Sequence, residues 1–301
     1  MYRTVLVTGG SGFLGKRLAR HKPEWIYLSS RDCNLMNIGE VDNCFKDIKP
    51  DAIIHLASKV GGIKDNSENQ ASFYFQNTII NTNVIHSAYA SGVGRVLSSL
   101  STCAFPDNLE NYPFSEEDIF NGSPAETNFS YGYTKRSLHV QTLSYRKQHR
   151  VNYSTFCPSN LYGPGDHFDS ENSHFVPALI SKIAKSDSGD TIELWGTGKP
   201  RRQQLYVDDL VEIIPTLLVR HNSDLPLIVS PEENLSINEM SSIAIDKFKK
   251  NVNISYNGNL DGQYRKDGSN KRLLELINGF NFTSFDEGVE RTIKWHLENK
   301  G

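Results

Sequence analysis

The sequence predicts an α/β fold, a Rossmann-type doubly wound parallel sheet with a smaller C-terminal α/β substrate lobe. Three observations predict it. Short β-branched runs alternate with helix-period segments over the first 160 residues. The first strand runs straight into a glycine-rich turn and a helix. Beyond about residue 160 the chain turns polar and turn-rich, in "NLYGPGDHFDSENSH", before further helices and strands.

The elements follow in order. "TVLVT" (4–8) is a strand and "FLGKRLARH" (13–21) a helix. "WIYLSS" (25–30) is the second strand, and "IGEVDNCFKDI" (38–48) is an amphipathic helix stopped before Pro50. "DAIIHLAS" (51–58) is the third strand. A long helix spans 72–92, with apolar residues at three and four and Gly92 as its stop. Strands at 95–101 and 152–160 flank a second long helix at 131–149. In the second half, helices are expected at 175–185, 208–221, 236–249 and 284–298, with strand-like "TIELWG" and "LPLIV" between them. Residues 1–165 are read as the first, doubly wound domain, with segments around 200–225 returning to it. Residues 166–301 are read as the substrate lobe over the carboxyl edge of the sheet.

Composition narrows the function classes. The 301 residues carry a formal net charge of -3, which gives no general reason to expect a nucleic-acid or membrane partner. No apolar run approaches the roughly 20 residues of a membrane helix. "MYRTVLVTGG" begins a strand at once, with no leader pattern, so the cytoplasm is the expected compartment. Cys33, Cys44, Cys103 and Cys157 lack metal-ligand spacing, and no metal is expected.

Between strand and helix, "VLVTGGSGFLG" sets Gly9, Gly12 and Gly15 at G-x-x-G-x-x-G spacing. Gly9 permits the tight turn, Gly12 lets a pyrophosphate approach the backbone, and Gly15 lets the helix pack on the strand. An acidic residue usually ends the second strand of an NAD site. Here Ser29 and Ser30 hold that place and Arg31 follows, which suits a 2′-phosphate and predicts NADPH over NADH. The alternative keeps Arg31 as a solvated charge and gives the acid's role to Asp32. A titration showing tighter NADH would decide for it.

Tyr131 and Lys135 lie four apart at the start of a helix and share a face. An ammonium there is expected to lower the phenol's pKa and hold the nicotinamide ribose, and the phenol to protonate a carbonyl oxygen as hydride arrives. Ser101 completes the constellation. A chance surface pair is the bland alternative for Tyr131 and Lys135, as a buried structural thiol is for Cys103.

These residues, with "HLASKVGGI" (55–63), "STCAFP" (101–106), "PSNLYGPGDHF" (158–168), "NSHFVPALI" (172–180) and "WGTGKPRRQQLYVDD" (195–209), resemble the extended short-chain dehydrogenase/reductase superfamily. Within it they resemble the GDP-L-fucose synthase family, the 3,5-epimerase-4-reductases of GDP-4-keto-6-deoxy-D-mannose. The likeness runs beyond residue 290, to "WHLENK". It implies an NADP(H)-dependent enzyme acting on a GDP-sugar, with Cys103 as the base, His174 as the acid, and Ser101 and Tyr131 on the 4-oxygen. Implied cofactor contacts are Gly9, Gly12, Phe13, Leu14, Gly15, Arg31, Leu56, Ala57, Tyr131, Lys135, Pro158, Asn160, Leu161 and His174. Implied substrate contacts are Lys182, where the family more often has arginine, Trp195, Arg202 and, most loosely, Asp261. Asn77 is expected to support active-site backbone, and Ser58 adds a hydroxyl where alanine is usual. The dehydratases of this fold carry an acidic pair after the threonine that corresponds to Thr102, where this chain has Cys103-Ala104, which argues for epimerisation.

Two other readings stay open: a single-function nucleotide-sugar 4-epimerase or 4-reductase, and a non-catalytic NADP(H)-binding sensor. The helices at 72–92 and 131–149 resemble the pair that dimerises this superfamily, so a homodimer is expected. A sedimentation mass of one chain would refute it.

Overall fold

Parallel strands need a crossover between each pair, and the alternating pattern supplies one every time. The computed structural model describes residues 2–168, 173–258 and 261–299. The first half runs β1 (Val5–Thr8), α1 (Phe13–His21), β2 (Ile26–Leu28), α2 (Ile38–Ile48), β3 (Ala52–His55), α3 (Ile63–Glu68), α4 (Gln70–Ala90), β4 (Arg95–Ser99), α5 (Phe129–His149) and β5 (Asn152–Pro158). Then come β6 (Asn160–Tyr162), α6 (Phe175–Lys185), β7 (Thr191–Leu194), β8 (Arg201–Arg202), β9 (Gln204–Tyr206), α7 (Val207–Arg220) and β10 (Leu227–Val229). The chain ends with β11 (Leu235–Ser236), α8 (Ile237–Phe248), β12 (Asn253–Tyr256), β13 (Arg265–Lys266), α9 (Lys271–Leu276) and α10 (Phe285–Glu298).

Six strands form the central sheet in the order β10-β5-β4-β3-β1-β2, all parallel. The winding reverses between β1 and β3, and ligands of such sheets bind outside the strand ends at that switch point. β1, β3 and β4 are buried along their whole length, as expected for strands covered on both faces. Leu6, Ile53 and Val96 are fully inaccessible, each contributing about 1.5–3 kcal/mol by leaving water. "LPLIV" proves to be β10, an edge strand of this sheet, and α7 packs beside α1. Arg95 opens β4, wholly buried. It donates to the carbonyls of Leu217, Leu218 and His221 at the end of α7 and so staples that helix to the sheet.

The second lobe is made of small sheets, β11-β8-β13, β12-β7 and β6-β9, with α6, α8 and α10 around their own apolar cluster. Asn172 of "NSHFVPALI" and Lys300 of "WHLENK" lie outside the described residues. Among the described residues no helix is long and apolar enough to cross a membrane.

Candidate active site

The glycine loop has the shape its spacing predicts. Gly9 has φ +77, and a Cβ on it would lie 2.8 Å from the Ala57 amide nitrogen. A Cβ on Gly15 would lie 2.3 Å from the Gly9 carbonyl oxygen, so α1 packs on the turn only through hydrogen there. Gly12 differs: a Cβ on it meets only the Gly9 carbonyl oxygen, at 3.3 Å, and otherwise faces open space. Gly12 also caps α1 without any side-chain bond, and no acidic residue occupies the first turn. The N–H groups of Phe13, Leu14 and Gly15 thus head a helix whose positive end carries no side-chain cap, which fits a pyrophosphate. Leu56 and Ala57, just past β3, wall the same turn.

Beyond β2, Asp32 is turned back on its own loop. It accepts from the Ser29 amide at 2.8 Å and the Ser29 hydroxyl at 2.6 Å, and those bonds hold it below the ordinary carboxylate range. Arg31 is exposed, and no acidic side chain pairs with it among the described residues. The carboxylate is engaged and the guanidinium is available, which favours a 2′-phosphate.

Next along the edge, the Thr8 hydroxyl and His55 Nδ1 are 2.7 Å apart, and His55 Nε2 reaches Asn81 Oδ1 at 3.1 Å. Asn77, fully buried, accepts from the Ser58 hydroxyl and the Lys59 amide, each at 2.8 Å. It supports the strand-end backbone as expected.

Tyr131 and Lys135 sit on the first turns of α5. Gly132 is why they come so close to the sheet edge: a Cβ there would lie 2.4 Å from the Cys103 carbonyl oxygen. Lys135 is buried and donates to the Ser99 carbonyl at 2.9 Å. Its Nζ stands 5.6 Å from the Tyr131 ring centroid. One expectation is corrected here. The phenol is pushed up, not down: burial raises it, the Cys103 thiol adds to that, and bonds to Ser58 and Ser101 only partly oppose them. Lys135 is itself pulled down to about 8 by burial, against the opposing influence of the Cys157 and Cys103 thiols. The phenol keeps its proton at neutral pH, as a donor must.

Cys103 occupies a short 3-10 turn, Thr102–Ala104, capped by Ser101, whose hydroxyl oxygen accepts from the Cys103 amide at 3.2 Å. The thiol is half-buried, and the Lys266 ammonium donates to its Sγ at 2.9 Å. Burial alone would raise the thiol. The Lys266 charge and hydrogen bond, the Ser101 bond and the Arg202 charge outweigh it and hold Cys103 below its ordinary value. Cys157, by contrast, is buried and pushed up, and stays an inert thiol. His174 is the residue before α6 and makes no capping bond with its side chain. Water reaches it, yet the surrounding cleft walls desolvate it, and this together with the nearby Lys266 charge lowers its pKa.

The remaining candidates lie in the second lobe, where Arg202 stands near both Cys103 and Asp261. Arg202 pairs in register with Lys266 across β8 and β13 and donates to the Arg201 carbonyl at 2.7 Å. Lys182 donates to the Glu193 carbonyl at 2.9 Å, two residues before Trp195, whose side chain is 60 % exposed. Asp261 accepts from the Thr197 amide and hydroxyl at 2.6 and 2.7 Å, so both its oxygens brace the Trp195 turn. Pro158, Asn160 and Leu161 lie at the end of β5 and in β6, with the Ser159 amide tied to Val229 of β10. Sequence reasoning missed Lys266, in a two-residue strand that no periodicity reveals, and Gly132, whose packing role needs a three-dimensional neighbour.

The description "NAD dependent epimerase/dehydratase family" matches residues 5–229. The chain belongs to this family. Among curated relatives of the family, GDP-L-fucose synthase of Dictyostelium discoideum is 34% identical, over 99% of this chain and 96% of that one. GDP-L-fucose synthase 1 of Arabidopsis thaliana is 31% identical, over 98% and 93%. The crystal structure of a GDP-L-fucose synthetase from Naegleria fowleri bound to NADP superimposes with a TM-score of 0.89 at 31% identity, over 98% of this chain and 94% of that one.

Proposed function

We propose that this chain catalyses the NADPH-dependent 3,5-epimerisation and 4-reduction of GDP-4-keto-6-deoxy-D-mannose to GDP-L-fucose. One observation carries the reading: a thiol held below its ordinary pKa stands at the sheet edge beside a protonated tyrosine of the Tyr-x-x-x-Lys helix. A simple hydride shuttle needs the tyrosine and has no use for the thiol.

The chemistry follows from the groups. A 4-keto group acidifies the C–H bonds at C3 and C5. Ser101 and Tyr131 hydrogen-bond its oxygen and stabilise the enolate that forms. Cys103 removes the proton from carbon, and His174 delivers one from the opposite face; burial and the Lys266 charge hold the imidazole below its usual value, so at neutral pH it takes up that proton from solvent before each transfer. Bound NADPH supplies the hydride for C4. Tyr131 protonates the oxygen at that step, and Lys135 holds the ribose hydroxyls. In this scheme Arg31 meets the 2′-phosphate, Arg202 and Lys182 the diphosphate, and Trp195 the base by stacking. Residues 1–165 with 207–229 serve the cofactor, and the remainder serves the sugar nucleotide. The four free cysteines, one of them acting as a thiolate, suit the reducing cytosol. Helices α4 and α5, which present Tyr74, Phe75, Tyr89, Phe129 and Val140 outward, form the homodimer interface in this scheme.

The test is product analysis with GDP-4-keto-6-deoxymannose and NADPH in heavy water. The parent yields GDP-fucose with deuterium at C3 and C5, and Cys103→Ser reduces without epimerising. If the variant incorporates deuterium like the parent, Cys103 is not the base. A parent that binds NADPH and turns over no keto-sugar removes the enzyme reading altogether.

A further inference from the structure

We infer that Lys266 is the positioning residue that keeps Cys103 as a thiolate, so that the second lobe arms the proton-abstracting group of the first. The inference rests on the assignment of Cys103 as the base, and goes beyond it by naming what makes a half-buried cysteine basic at neutral pH.

The geometry is specific. Lys266 is 9% exposed, and its Nζ lies 2.9 Å from Cys103 Sγ, 163 residues away in the chain. A lysine buried to that degree requires a partner, and among the described residues neither a carboxylate nor a backbone carbonyl bonds its ammonium. The thiolate is that partner.

The backbone that carries Lys266 is fixed from several sides. Phe114 donates its amide to the Asp267 carbonyl at 2.9 Å, and Ser269 donates back to the Phe114 carbonyl at 2.7 Å. The Gly268 amide donates to Gln203 Oε1 at 2.9 Å, and a Cβ on Gly268 would collide with Phe114 and Ile228. The neighbouring Asp267 is occupied by Arg265, at 2.6 Å, so it offers Lys266 no competing carboxylate.

Other groups face the thiol. Ser101 bonds it, and Arg202 lies on the strand paired with Lys266. Tyr131, Lys135 and Cys157 also stand near enough to interact. Of these, Tyr131 and Cys157 are neutral at pH 7, and Lys135 is engaged with the Ser99 carbonyl. Lys266 is the cation that bonds the sulfur.

The experiment reads the thiol directly and needs no sugar. NADP-loaded protein is alkylated with iodoacetamide from pH 5.5 to 10, and the Cys103 peptide is followed by mass spectrometry. Cys103→Ser serves as the blank and Cys44 as an internal reference. The parent midpoint should fall below the free-thiol value of about 8.5. Lys266→Met should move it up by at least one pH unit, about a tenfold slower reaction at pH 7. Lys266→Arg should restore most of the shift. Far-ultraviolet circular dichroism and NADPH binding report whether the variants fold. A parent midpoint at or above 8.5 overturns the inference whether or not Lys266→Met folds, and so does a folded Lys266→Met with an unmoved midpoint. Because alkylation is independent of the keto-sugar, a low midpoint in a chain that makes no GDP-fucose would sink the proposed reaction and leave the ion pair standing.

Discussion

Gly9 and Gly12 lie three residues apart in one loop and answer to different demands. Gly9 is glycine for the fold: its left-handed φ costs another residue about 1–2 kcal/mol, and a Cβ would strike backbone at 2.8 Å. Gly12 has an ordinary φ of -76 and open space beyond it, so it is glycine for the ligand. Gly12→Ala is therefore expected to melt within a few degrees of the parent yet bind NADPH at least tenfold more weakly. Gly9→Ala is expected to lose stability first. Thermal melts beside cofactor titrations separate them, and a Gly12→Ala that binds NADPH like the parent would show that no phosphate approaches there. Single residues were legible in the sequence where a covalent neighbour or a helix turn defines them, as with this loop, Tyr131 and Lys135. They were illegible where the partner is distant in the chain. Lys266 looks like one more surface charge in "DGQYRKDG", and the Tyr131 phenol shifts up where the sequence led to a downward shift, because burial dominates it and Cys103 adds to that.

At the scale of elements, legibility follows length and punctuation. Helices α1, α2 and α6 begin and end at the residues the pattern predicts. For α2 the reason is physical: Asn37 accepts from the Gly39 amide at 3.0 Å and Lys49 closes the helix in a left-handed turn. The six-residue helices α3 and α9 and the two-residue strands β8, β11 and β13 are too short for a period to register. α4 and α5 are unlike their neighbours, because apolar side chains are spread around them instead of gathered on one face. They pack on each other through Asn81 to the Thr134 carbonyl and Gln141 to the Thr82 carbonyl. Their outward faces still present Phe75 at 59% and Val140 at 47% exposure. A second copy of the pair covers these faces in the proposed dimer. The parent should sediment as two chains, and Phe75→Glu with Val140→Glu as one, with the secondary structure intact. A parent mass of one chain at micromolar concentration counts against the interface.

For the molecule as a whole, the sheet core governs the response to acid. His55, His139 and His221 are each at least 95 % buried, and burial lowers all three to about 4. Unfolded, they titrate near 6.5. Between pH 6.5 and 4 the unfolded chain therefore binds more protons at these sites than the folded one, so stability present above 6.5 is lost as pH falls through that window. Each site can contribute up to about 3 kcal/mol of that loss. Asp166 works the other way. Burial raises it to about 7, so the folded chain takes up its proton first, and this group favours folding as pH falls from 7 toward 4. Glu116 and Asp209 are also raised by burial and act in the same sense. The net slope is a difference of opposing terms, and the signs show in variants. His139→Gln keeps a polar partner for the Thr155 hydroxyl, 2.9 Å from the histidine ring, and removes one proton site. Its stability should fall less steeply than the parent's between pH 6.5 and 4.5. Asp166→Asn should fall more steeply. Urea unfolding across that range measures both slopes; equal slopes in parent and His139→Gln would mean that His139 is not held neutral, and that the sheet core does not couple folding to protons in this way.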